Sequence, residues 1–327
     1  MARPGPLVID LHCDSLYEHV QGRMDLARRN DHGHLDLPRM REGGLNAEVF
    51  AIWTNPDKYR PGERAPLVHR AIDAFLSICR RRSNRLGLAR TPDELLRVVS
   101  SGRVAGVLGI EGGHALEGDT ENLDRFFDRG VRLLTLTWNN SNEMARSCMA
   151  RDGNRRGLTQ LGRDVARRMN RLGMLVDLSH ASDRTFYDVL ETSAAPVICS
   201  HSACRALRRF PRNLTDRQLR ALGEAGGLIG IVFLPYFLTR DYRRASLDDV
   251  LDHIEHAASV AGVESVGIGS DFDGFGDPPP RGLEDASKLP ALAEGLRTRG
   301  FSRAETAGIL GLNFLRVWSE AGAAPQS

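Results

Sequence analysis

Six side chains with metal-binding or acid–base capacity stand at the ends of short apolar runs in this chain: His12, Asp14, Glu111, His180, His201 and Asp271. In an extended segment residues i and i+2 point the same way, so His12 and Asp14 can reach one cation while Cys13 faces away. His180 and His201 each end a run with the same Ser-His dipeptide, in Val176-Asp177-Leu178-Ser179-His180 and Val197-Ile198-Cys199-Ser200-His201, which suits paired ligands for a second cation. Glu111 lies in Gly109-Ile110-Glu111-Gly112-Gly113-His114, where flanking glycines let the backbone approach a ligand closely. Asp271 opens Asp271-Phe272-Asp273-Gly274. A carboxylate beside a dication can take a proton from bound water and return it to a leaving amine, whereas Asp273-Gly274 reads as a turn. Each pattern alone also fits a solvated strand end or a helix-capping loop. Brought to one place, they would perform metal-assisted hydrolysis.

The elements that must position them alternate along the chain. Runs at 7–11, 46–53, 104–110, 132–137, 174–178, 196–200, 228–233 and 265–270 read as eight strands, separated by segments of helical periodicity. Helix starts are marked at Thr91-Pro92-Asp93-Glu94, which combines an N-cap, a proline at N1 and a capping-box Glu, and again at Thr215-x-x-Gln218 and Ser302-x-x-Glu305. Strands buried on both faces with helical crossovers predict an α/β fold, a closed (β/α)₈ TIM-type barrel spanning 1–327 as a single domain. The segment 54–90 reads as an excursion, a loop and a long helix outside the barrel. The segment 275–286, with three consecutive prolines, reads as a rigid loop. In such barrels the βα loops past the strand ends build the active site. The candidates follow the first, third, fifth, sixth and eighth strands. His69, His253 and His256 fall on predicted helices and His19, His32 and His34 in the first loop, all outside the metal shell. His114 shares the glycine turn of Glu111 and is placed to support a ligand from behind.

Composition narrows the function class. Of 327 residues, 41% are hydrophobic and 26% charged, the balance of a globular protein. The 44 Lys and Arg nearly cancel the 42 Asp and Glu, which argues against nucleic acid or an anionic membrane as partner. The N-terminus passes directly into Leu7-Val8-Ile9, too short for a secretory or membrane-spanning segment, and predicts a cytoplasmic protein. Cys13, Cys79, Cys148, Cys199 and Cys204 are odd in number and contain no Cys-x-x-Cys, so reduced thiols are predicted.

With Ile9-Asp10-Leu11-His12-Cys13-Asp14 come GIEGGHAL (109–116), LLTLTW (133–138), VDLSHAS (176–182), PVICSHS (196–202), GIGSDFDGF (267–275), GLEDASKLPALAEGL (282–296) and NFLRVW (313–318). In these ordered motifs the sequence resembles the membrane (renal) dipeptidase family of zinc peptidases, within the amidohydrolase superfamily. The resemblance implies a zinc-dependent dipeptidase with two Zn²⁺ per subunit. His12 and Asp14 would bind one zinc, Glu111 would bridge both, His180 and His201 would complete the second, and Asp271 would be the acid/base. Arg212, in Phe210-Pro211-Arg212-Asn213, matches the family arginine that holds the substrate's terminal carboxylate. A dipeptide substrate and a homodimer are likewise implied.

Two features depart from the family. Trp138 replaces a histidine that steadies the tetrahedral intermediate, and an indole donates one neutral hydrogen bond and accepts none. An amide from Asn139, Asn140 or Asn142 can stand in, and Trp138 and Asn140 are read as substrate contacts. A non-standard amide, such as a lactam or a conjugated amino acid, is the alternative substrate. A barrel that binds ligand without catalysis is disfavoured by the intact ligand set. The absent secretory signal and disulfide pattern imply an intracellular, bacterial-type member.

Overall fold

The computed structural model describes residues 6–152 and 155–323. Residues 1–5, part of the N-terminal reading above, lie outside the described residues. Within them, nine parallel strands form one sheet: β1 (Ile9–Cys13), β2 (Ala47–Trp53), β3 (Leu86–Leu88), β4 (Val104–Glu111), β5 (Val131–Thr135), β6 (Leu175–Asp177), β7 (Ile198–Ser202), β8 (Leu228–Ile231) and β9 (Val266–Ile268). Eight close into a barrel in the order β1-β2-β4-β5-β6-β7-β8-β9, with β9 back against β1. The (β/α)₈ barrel read from the eight apolar runs is therefore the observed fold.

Side-chain alternation divides the apolar residues into two sets. Ile9, Leu11, Ala47, Val49, Ala105 and Val107 pack together in one cluster with Phe314, Val317 and Trp318 of the helix Asn313–Ala323. Intervening residues such as Phe50, Ile52, Leu108 and Ile110 pack in a second cluster with Ile72 and Phe75 of the helix Arg64–Arg81. Both faces of each strand are thus covered, which is why the strands read as near-continuous apolar runs.

The ninth strand corrects the reading of 54–90. That segment holds the expected long helix, but Leu86–Leu88 also pairs with Val104–Gly106 along the first part of β4, before β5 takes the same edge from Leu108 onward. Three residues, Leu-Gly-Leu between arginines, carry too little periodicity to register as a strand. One capping detail also differs. Thr91 Oγ1 accepts from Glu94 N at 3.1 Å, but the Glu94 carboxylate accepts from Arg90 N at 2.8 Å rather than from the Thr91 amide. At Thr215 and Ser302 the reciprocal boxes form as predicted. The cysteines are all free thiols, and no described helix is long and apolar enough to cross a membrane.

Trp318 is fully buried against the strand starts. Trp318→Ala is expected to lower unfolding free energy by about 3–5 kcal/mol in urea denaturation, from lost burial and an unfilled cavity. A loss below about 1 kcal/mol would show that the helix does not plug the barrel.

Candidate active site

Local irregularities in β1 aim the first two candidates. The β1–β2 register slips between Asp10 and Cys13, so Leu11 joins the inner cluster while Cys13 joins the outer one. Asp14 occupies the N-cap position of the helix Ser15–Val20 but makes no cap hydrogen bond. Its carboxylate instead stands 3.5 Å from His12 Nε2. The buried Asp10 carboxylate accepts from the Ser270 amide at 2.7 Å and, more distantly, from the His12 amide at 3.5 Å. Backbone bonds from Asp271 N to His12 O (3.0 Å) and Asp14 N to Phe272 O (2.8 Å) complete the junction between β1 and the segment after β9.

A second buried carboxylate organises the two Ser-His ends. Asp177 Oδ1 accepts from the amides of Ser179 and Ser200, each at 2.9 Å. Its Oδ2 accepts from Thr135 Oγ1 at 2.6 Å and Ser200 Oγ at 2.7 Å. One side chain so ties together β5, β6 and β7. His180 and Asp271 both adopt left-handed backbone conformations, φ 67° and 63°. Such conformations cost about 1–3 kcal/mol each and persist where surrounding contacts impose them.

The six candidates converge. Glu111, the last residue of β4, turns Oε1 toward His180 Nε2 (2.9 Å) and His201 Nε2 (3.4 Å), and Oε2 toward His12 Nε2 (3.9 Å). Asp271 Oδ1 lies 3.9 Å from His12 Nε2. The Nε2 atoms of His180 and His201 are only 3.2 Å apart. His180 Nδ1 donates to Asn139 Oδ1 at 3.0 Å. His201 Nδ1 donates to Ser200 Oγ at 2.8 Å, because that hydroxyl gives its own proton to Asp177. Both Nε2 atoms therefore present lone pairs, and His12 Nε2 is buried without a hydrogen-bond partner. Two nitrogen lone pairs facing each other beside a carboxylate call for a cation. Either His12, Glu111 and His201 or His12, Asp14 and Asp271 can direct ligand atoms to a common point.

Protonation follows the crowding. Burial holds His180 and His201 well below the usual imidazole range, assisted by the nearby positive charges of Arg212 and His12. For His12 burial acts in the same direction, but Asp14, Glu111 and Asp271 outweigh it and push the pKa to about 10. Burial, then Asp14, raises Glu111 well above the carboxylate range. Asp271 is raised to about 7, by burial first, with Asp14 adding to it and His12 opposing.

A cavity of about 610 Å³ opens over this cluster. Arg212 reaches it with a buried guanidinium, Nη2 donating to His201 O at 3.0 Å while Nε and Nη1 have no partner. Trp138 lines the same cavity, its ring 4.9 Å from Trp53 and 6.2 Å from His180. The amides separate. Asn139 reaches the cavity and holds His180, Asn140 donates to Asp57 at 3.0 Å away from the lining, and Asn142 braces the loop through Leu136 O and the Met144 amide. His114 is buried behind Gly112, with no hydrogen bond to any of the six.

Several residues acquire roles that their types alone did not signal. Asp10 and Asp177 are the buried supports, each interrupting an apolar strand shortly before a histidine, which is the pattern that could have marked them. Asp273 is more than a turn residue: it accepts from Ser15 Oγ (2.5 Å) and the His34 amide (2.6 Å) and pins the first loop. Gly274 lies so close to the Asp14 and Asp271 carboxylates that any side chain would strike both.

The family called Membrane dipeptidase (Peptidase family M19) matches residues 5–327. Dipeptidase tcpJ of Claviceps purpurea is 36% identical over 314 residues, covering 93% of this chain and 72% of that protein. Dipeptidase AC, a metallopeptidase of family M19, superposes with a TM-score of 0.90 at 30% identity, over 98% of this chain and 99% of its own. A metallopeptidase from Rhodobacter sphaeroides, liganded with a phosphinate mimic of the dipeptide L-Ala-D-Ala, gives a TM-score of 0.90 at 29% identity, over 97% of this chain and all (100%) of that one. The sequence motifs, the barrel and these likenesses agree: this chain belongs to the membrane dipeptidase family, peptidase family M19, and is a metal-dependent hydrolase.

Proposed function

We propose that this chain is a dinuclear zinc dipeptidase. The observation that carries the reading is Glu111, which offers one oxygen to the His180/His201 pair and the other to His12. His12, Asp14 and Glu111 would hold one ion, and Glu111, His180 and His201 the other. A mixed nitrogen and carboxylate donor set of borderline softness suits zinc. When bound, the ions lower the pKa of water and polarise the scissile carbonyl.

The protein's own groups do the rest. Asp271 sits beside His12 at the mouth of the cluster, where it can accept the proton of the attacking water and pass it to the departing amine. Arg212 keeps Nε and Nη1 without a partner, so its buried guanidinium has charge-assisted donors to spare for a carboxylate. That pairing would dock the free carboxyl end of a dipeptide and set its amide over the cluster. The Rhodobacter sphaeroides relative, crystallised with a dipeptide mimic, supports the substrate class. A homodimer belongs to the same proposal, on the family resemblance.

Metal removal tests the core of the reading. Chelation is expected to abolish dipeptide hydrolysis, with recovery after two zinc ions per chain are restored, as counted by elemental analysis. Undiminished turnover in the metal-free protein would sink it. Arg212→Met is expected to lower kcat/KM for a free dipeptide by about 10- to 150-fold, from loss of charge-assisted hydrogen bonds. The same variant should affect the C-terminally amidated dipeptide far less, and equal losses on both would remove Arg212 from carboxylate recognition. Asp177→Asn is expected to weaken zinc binding by about 10- to 100-fold in chelator competition, because Asp177 orients His201 through Ser200. Unchanged affinity in a folded variant would reject that support.

A further inference from the structure

The cavity is chemically lopsided. Around the barrel, β1, β2, β4 and β5 are consecutive, and Tyr17, Trp53 and Trp138 all come from this side. Arg212 follows β7, four strands around the barrel from β2 and two from β5, and the ring it covers, Phe237 at 5.4 Å, follows β8. One flank therefore offers a guanidinium with two unpartnered nitrogens and the other a run of aromatic rings, with the Glu111 cluster at the same mouth.

The rings form a continuous surface. Trp138 begins it 6.2 Å from His180, Trp53 follows at 4.9 Å and 49°, and Tyr17 meets Trp53 edge-on at 5.1 Å and 64°. The Arg23 guanidinium stands 5.3 Å from the Tyr17 ring centroid and is itself paired with Glu18 at 2.5 Å, which holds the outer end. A cavity of about 610 Å³ falls in the range that encloses drug-sized ligands and leaves room for a large side chain beside a dipeptide backbone. Trp138 and Trp53 each present broad apolar area with few rotatable bonds, which favours tight contact with another flat ring.

We propose that Tyr17, Trp53 and Trp138 form a subsite for an aromatic side chain on the residue that supplies the scissile carbonyl. The proposal rests on the dipeptidase reading above. With the carboxyl end docked at Arg212 and the amide over the cluster, the amino-terminal residue extends toward the β2 and β5 flank. Trp138 is then a specificity-determining residue, and the position where the family carries a polar histidine contributes a binding surface for the side chain.

The test is a kinetic comparison on the zinc-loaded enzyme of Phe-Ala, Ala-Ala and Ala-Phe, each with L and D carboxy-terminal residues. Phe-Ala is expected to exceed Ala-Ala in kcat/KM by about tenfold, mostly through KM, as aromatic contact predicts. Trp138→Leu and Trp53→Leu should each collapse that ratio toward about twofold, while Trp138→Phe should retain most of it. If a tryptophan variant does not fold by circular dichroism, Tyr17→Leu and Trp138→Phe carry the comparison. Hydrolysis of Ala-Ala with no preference for Phe-Ala overturns the subsite and leaves the dipeptidase reading intact. A preference for Ala-Phe overturns the assigned orientation and with it the subsite. Failure to hydrolyse any of the three by an enzyme holding its zinc overturns both.

Discussion

The parallel ladder between β2 and β4 pairs Ala47–Trp53 with Ala105–Glu111 through seven successive residues and closes the barrel. Because the ladder has no bulge, its last pair sets Trp53 beside Glu111 at the mouth, an aromatic ring beside the central carboxylate. The inward residues Ala47 and Ala105 are small, Gly109 leaves room for Leu133 and Val49, and the outward Phe50 packs against Phe75. Every later feature of the mouth is referred to Glu111: His12 approaches one of its oxygens, and His180 and His201 approach the other.

Buried carboxylates do two different jobs around that point. Asp10 and Asp177 act as fasteners, Asp10 through Oδ1 alone joining β1 to the segment after β9, and Asp177, with donors on both oxygens, joining β5, β6 and β7. A carboxylate satisfied by hydrogen bonds can be buried without a compensating cation. Glu111, Asp14 and Asp271 instead face one another and the imidazoles, and burial together with this crowding holds the Glu111 and Asp271 carboxyls above the usual carboxylate range. A cluster so crowded with acceptors has cation demand built into it. The fasteners hold the strained backbones of His180 and Asp271 in place, so the site retains its geometry without relying on loop packing alone.

The substrate end is built by different means. Apart from Trp53 at the end of β2, its elements are long side chains from beyond the strand ends: Tyr17 from the first helix, Trp138 after β5, Arg212 after β7 and Phe237 after β8. Loops on a rigid barrel can exchange residue types without disturbing the metal-binding rim.

Much of this was legible before any coordinates. Eight of the nine strands register because burial on both faces demands continuous apolar runs, and Leu86–Leu88 does not because three residues carry no period. His12, Asp14, Glu111, His180, His201 and Asp271 were marked by residue type at strand ends, a property of local sequence in a barrel whose strands all point one way. Asn139 and Asn140 could not be told apart, since adjacent residues on an irregular loop differ only in where the chain turns them, toward His180 in one case and Asp57 in the other. Nor could Asp10 and Asp177 be recognised as supports, because their partners lie on other strands, as far as 260 positions away in the case of Ser270. The sequence by itself determined the barrel and the inventory of candidate ligands, through periodicity and residue chemistry. Only the tertiary structure decided which oxygen of Glu111 meets which imidazole, which histidine nitrogens keep their lone pairs, and that Arg212 and the tryptophans line one pocket, because those relations arise from closing the sheet.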